Sequence, residues 1–148
     1  MKKTGFLLLL LLIPVILLPK TGIGIIVGEP TGISFKQWTS EQTAFDAALA
    51  YSFSDKEHFY FHLNYLHHNE AQFDSFTLPW YWGFGANIRY REDAKDQVKL
   101  AGRLPLGIYH MFNNFPGEIF LEVAPGLDVV PDIGFNLGAA IGFRYYFN

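Results

Sequence analysis

The sequence predicts an all-β fold: a closed, eight-stranded, antiparallel up-and-down β-barrel behind an N-terminal signal peptide. It rests on three features. The first is strict alternation, cleanest at the end of the chain. Phe135, Leu137, Ala139, Ile141, Phe143, Tyr145 and Phe147 interleave with Asn136, Gly138, Ala140, Gly142, Arg144 and Tyr146. Side chains on a strand point to opposite faces with period two, so this segment has one bulky apolar face and one small or polar face. The second is that similar segments recur, divided by turn residues. The third is that no stretch after Leu18 approaches the roughly 20 apolar residues of a membrane helix.

At 148 residues the chain is one domain, with 50% hydrophobic and 17% charged residues. Its apolar content is therefore spread along the chain rather than gathered into spans. There is no cysteine, which removes disulfides and thiolate metal sites. Net charge is −3, and without Lys2 and Lys3 the balance is 9 basic against 14 acidic residues. That excludes the basic footprint of a nucleic-acid binder.

The elements follow in order. Lys2 and Lys3 precede an apolar run, Gly5 to Leu18, broken by Pro14. This is the pattern of a signal peptide, assigned to residues 1–21, with residues 22–148 forming the barrel. Leu18-Pro19-Lys20-Thr21-Gly22 matches a sortase pattern but lies at the wrong end of the chain. The first strand is Ile23 to Gly28, with Gly28-Glu29-Pro30-Thr31-Gly32 as its turn, and the second is Ile33 to Trp38. Ala44 to Phe53 is the third. Residues 40–51 are alanine-rich and open on N-cap residues, which suits a short helix by propensity, but ten residues alternate without a break. His58 to His67 is the fourth strand, and Glu70 to Pro79 the longest loop. Trp80 to Arg91, Val98 to Phe112, Glu118 to Val129 and Phe135 to Phe147 complete the eight.

The bulky face carries Trp80, Trp82, Phe84, Phe59, Phe61, Phe143 and Phe147; the other is rich in glycine and alanine with few charges. An eight-stranded barrel has an interior just wide enough for side chains, so the small and polar face belongs inside. Ions inside and rings outside are the arrangement of a membrane β-barrel, the reverse of a soluble lipocalin-like one that binds an apolar ligand. Trp38, Trp80, Trp82, Tyr145 and Phe147 then form an interfacial aromatic rim. Lys36, Asp46, Arg103, Glu122, Asp128 and Arg144 form a lumen network. Lys36 is expected to pair with Asp46, Glu122 with Arg144, and Arg103 with Glu122 or Asp128, because buried ions must be paired. A gated pore is the alternative use of the same charges.

Gly24-Ile25-Ile26-Val27-Gly28-Glu29-Pro30-Thr31-Gly32-Ile33-Ser34-Phe35-Lys36 resembles the opening of a family of small bacterial outer-membrane β-barrels of unassigned activity. Gly102 to Gly107, Phe120 to Pro125 and Gly142 to Phe147 resemble its later blocks. That family is similar in architecture to OmpX and the OmpA transmembrane domain, which implies eight antiparallel strands in a cell outer membrane and brings no substrate. The closing Phe143, Tyr145, Phe147 series resembles the signal read by the barrel assembly machinery, although Asn148 follows it.

Catalytic chemistry has little support in the sequence. His58 and His62 share a face but lie about 13 Å apart along a strand, too far to share one ion. His67 and His68 point to opposite faces. The chain has no His-x-Ser of the lipid A deacylase kind, and Ser34 and Ser52 have no neighbouring histidine. The expectation is a monomer without catalytic, cofactor or metal residues, in contact with membrane lipid and the assembly machinery. A lipid A-modifying enzyme is the enzymatic alternative.

Overall fold

In the computed structural model the described residues are 20–52, 58–91, 98–130 and 132–147. The expected signal peptide, apart from Lys20 and Thr21, lies outside them, and Thr21 already belongs to the first strand. The strands are β1 (Thr21–Gly28), β2 (Gly32–Trp38), β3 (Thr43–Ser52), β4 (His58–Gln72), β5 (Thr77–Arg91), β6 (Val98–Arg103), β7 (Leu106–Met111), β8 (Gly117–Val130) and β9 (Gly134–Tyr146). All pairings are antiparallel; with β6 and β7 counted as one strand they join sequence neighbours, and β1 pairs with β9 to close the ring. The alanine-rich segment is strand, as its alternation predicts and its propensity does not.

The ring has eight staves, because β6 and β7 are two halves of one. The sequence predicts a single strand from Val98 to Phe112; it is interrupted at Leu104-Pro105, where proline has no N–H for the ladder. The register is the same on both sides of the gap: Gly85↔Arg103 and Trp82↔Leu106 against β5, Arg103↔Gly126 and Leu106↔Val123 against β8. Gly83 N–H donates to the Pro105 carbonyl at 2.9 Å and Leu104 N–H to that of Pro125 at 2.9 Å, so the wall is bonded across the break.

The expected loop Glu70 to Pro79 is mostly ladder. β4 and β5 stay paired out to Gln72↔Thr77, and only residues 73–76 turn, closed by Phe73 N–H to Phe76 O at 2.9 Å. β3 ends its pairing at Thr43↔His67 and β7 at Trp80↔Ile108, so beyond these points the two strands pair only with each other. The arm lies on the rim of the chain termini. It has no lumen, so nothing selects apolar residues for one face, and the alternation that marks the other strands is absent there.

Faces follow the pleat. Ile25, Leu63, Phe84, Leu104, Leu121, Leu137 and Ile141 are exposed around the outer wall, Phe84 by 57% and Leu121 by 51%. Inside, small residues let large ones cross: a Cβ on Gly142 would lie 2.2 Å from the Phe120 ring, and one on Gly107 2.4 Å from that of Tyr81. Both rings are buried. Gly142→Ala is therefore expected to lower unfolding stability by about 1–3 kcal/mol, the usual cost of overpacking. Denaturant titration of the refolded protein checks it, and an unchanged midpoint would show that Phe120 has room to move.

Candidate functional site

Residues two apart on each strand line the lumen. β2 presents Ser34, Lys36 and Trp38; β3 presents Asp46; β4 presents Tyr60, His62, Asn64 and His68. Tyr81 and Asn87 come from β5, Arg103 from β6, Glu118 and Glu122 from β8, and Arg144 and Tyr146 from β9. Lys36, Asp46, Arg103, Glu118, Glu122 and Arg144 are all buried. Three cations face three anions, so the network is neutral.

It has two parts. Nearer the chain termini, Glu118 receives Lys36 Nζ at 3.1 Å, an Arg144 nitrogen at 2.6 Å and the Tyr146 hydroxyl at 3.0 Å. The other Arg144 terminal nitrogen reaches Asp46 at 3.0 Å, and its Nε donates to Ser34 Oγ at 2.8 Å. Asn64 donates to Asp46 at 2.7 Å. The Arg144 guanidinium lies 4.0 Å from the centre of the Phe120 ring, a cation–π contact. In the second part Arg103 and the Tyr81 hydroxyl each reach Glu122 at 2.9 Å. Arg103 also meets His62 and, at 3.4 Å, the Tyr60 hydroxyl.

The expected residues are nearly all inside, but their partners differ. Lys36 and Asp46 stand opposite each other in the ladder, yet Lys36 crosses to Glu118 and Asp46 takes Arg144. Glu122 stands opposite Ala140, while Glu118 is the register partner of Arg144. Arg103 reaches Glu122. Asp128 sits apart, 3.9 Å from Arg89, and accepts from Asn136 at 2.8 Å. Glu118, Ser34, Asn64 and Tyr81 are additions. Glu118 alternates in phase with Glu122 four residues on, a signal sufficient to include it.

Trp82, Tyr145 and Phe147 are exposed on the outer wall, and Trp80 is partly covered. Trp38 is different. It shares the face of Ser34 and Lys36, so it points inward: its ring lies 4.1 Å from that of His68, and its Nε1 donates to the Tyr146 hydroxyl at 3.0 Å. Lys36 Nζ lies 4.4 Å from its ring centre. Trp38 caps the network at the terminal rim instead of joining the outer girdle. The phase of β2 carries this information, and a residue type that suits an interface masks it.

The network divides the lumen. On the side away from the chain termini a cavity of about 600 Å³ opens above Arg103. A smaller cleft of about 290 Å³ lies where Thr77, Leu78 and Pro79 leave Ile108 and Tyr109. Among the described residues no group of three or more histidine and carboxylate side chains is placed to hold a metal ion. Comparison with protein-family models, curated proteins and solved structures returns no match.

Proposed function

We propose that the chain is a small integral outer-membrane β-barrel, monomeric, with a structural or surface-interaction role and a lumen plugged by its charged network. One observation carries this: the protein is apolar on the outside and ionic on the inside. Exposed apolar side chains run around the wall on every stave, whereas soluble monomers rarely expose contiguous apolar patches beyond a few hundred Å². A closed barrel leaves no unpaired edge, as hydrocarbon requires. The signal-like N-terminus, the likeness to the outer-membrane family and the closing aromatic series support export and insertion by the assembly machinery.

The neutral plug suits a wall element better than a conduit. Lys36, Glu118, Arg144 and Asp46 join four staves across the centre. The protein expressed in a bacterium with two membranes should fractionate with the outer membrane, resist extraction by salt or carbonate, and run faster on gels before boiling than after. Recovery in the soluble periplasmic fraction without detergent would overturn the proposal.

A further inference from the structure

We propose that the open half of the lumen is a binding cup for a neutral sugar, a hexose or the hexose end of a larger saccharide. The cavity, about 600 Å³, falls within the roughly 300–1,000 Å³ of small-molecule sites. Its floor is Arg103, held by Glu122, which Tyr81 also bonds, so a ligand in the cup stops there.

The lining matches hydroxyl groups, which donate and accept at once. Arg89 lines the cup with its side chain 33% exposed, and its distance of 3.9 Å to Asp128 exceeds the 2.6–3.1 Å of the buried pairs. Its fork of N–H donors is open to a ligand oxygen. Asn87 lines the same wall, is only 7% exposed, and has a carboxamide oxygen without a hydrogen-bond partner. The last torsion of an asparagine is broad and roughly two-fold, so a turn of the amide presents it to the cup. Asn136 adds a second carboxamide. Tyr60, Ala50 and Ala124 supply carbon surface for the C–H face of a pyranose.

Charge argues against an ionic ligand. Arg89 stands by Asp128, Arg103 is held by Glu122, and Glu29 is the remaining ion among the described lining residues. The two arginines each stand beside a carboxylate and Glu29 adds a further negative charge, so the lining itself carries no surplus positive charge. The cup is a property of the lumen and holds whether or not the barrel sits in a membrane.

The test uses the full chain refolded in lauryldimethylamine oxide, a detergent without a sugar headgroup. D-glucose, D-galactose and inorganic phosphate are titrated while backbone amide shifts are followed by NMR. The expected result is saturable shifts at Asn87 and Arg89 with one of the sugars and none with phosphate. Arg89→Leu and Asn87→Leu should each weaken binding at least about tenfold. Ala50→Trp, which fills the cup and removes no member of the charged network, should abolish it while amide dispersion elsewhere is kept. Absence of saturable shifts with either sugar overturns the proposal. So does equal affinity in Arg89→Leu, or saturation by phosphate instead.

Discussion

Arg144→Ala lowers the unfolding free energy of the refolded barrel by about 3–5 kcal/mol, the cost of removing one partner from a buried ion pair. Arg144 is 1% exposed and serves two carboxylates at once, Glu118 and Asp46, while bonding Ser34 and covering Phe120. Without it, Lys36 alone faces two buried carboxylates. A protonated carboxylate relieves one charge but leaves the fork-shaped gap between β2, β3, β8 and β9 unfilled. Arg144→Lys keeps the charge but loses the two-pronged geometry, so it should fall between wild type and alanine. Arg89→Ala, at the open rim, should cost under about 1 kcal/mol. Urea titration followed by tryptophan fluorescence measures all three. An Arg144→Ala midpoint equal to wild type would show that the network does not hold the staves together.

Leu121→Arg tests the outer wall. Leu121 sits within β8, half exposed, in a row with Ile108 and Ile141. If acyl chains surround this wall, an arginine there costs about 2–4 kcal/mol near the midplane. If water does, an exposed leucine replaced by arginine changes stability by about 0.5 kcal/mol or less. The two outcomes differ several-fold, and the same position reports both. Unfolding of the variant in lipid vesicles measures it, with heat-dependent gel mobility reporting the folded fraction. Stability equal to wild type would remove the membrane proposal while leaving the barrel and its cup intact.

The staves were legible where a wall separates two environments. Ala44 to Ser52, Trp80 to Arg91 and Phe135 to Phe147 alternate because each successive residue must suit a different side. The arm from Asn69 to Pro79 has no inside, so its ladder leaves no periodic trace and looks like a loop. Pro105 breaks the strand label without breaking the register, since neighbouring N–H groups bond across it.

The site was legible in composition and less so in pairing. Adjacent strands give register, and Lys36 does stand opposite Asp46. In a narrow cylinder, long side chains cross the middle instead. Lys36 meets Glu118 because β2 and β8 face each other over the lumen, a distance that depends on how many staves close the ring and how they shear. Trp38 shows the other limit: its phase along β2 places it within, against the habit of its residue type.

Because the first strand mates with the last along Gly22↔Tyr146 to Gly28↔Ala140, this chain has no finished shape until its end has been made. Every earlier stage carries two raw edges of unsatisfied backbone, one at each extremity, and such edges recruit strangers. The clasp joins segments at opposite ends of the polypeptide, so its formation is slow and late. A truncation that removes the last dozen or so residues would leave not a smaller vessel but an open ribbon. The terminal strand is thus the piece on which escape from aggregation turns.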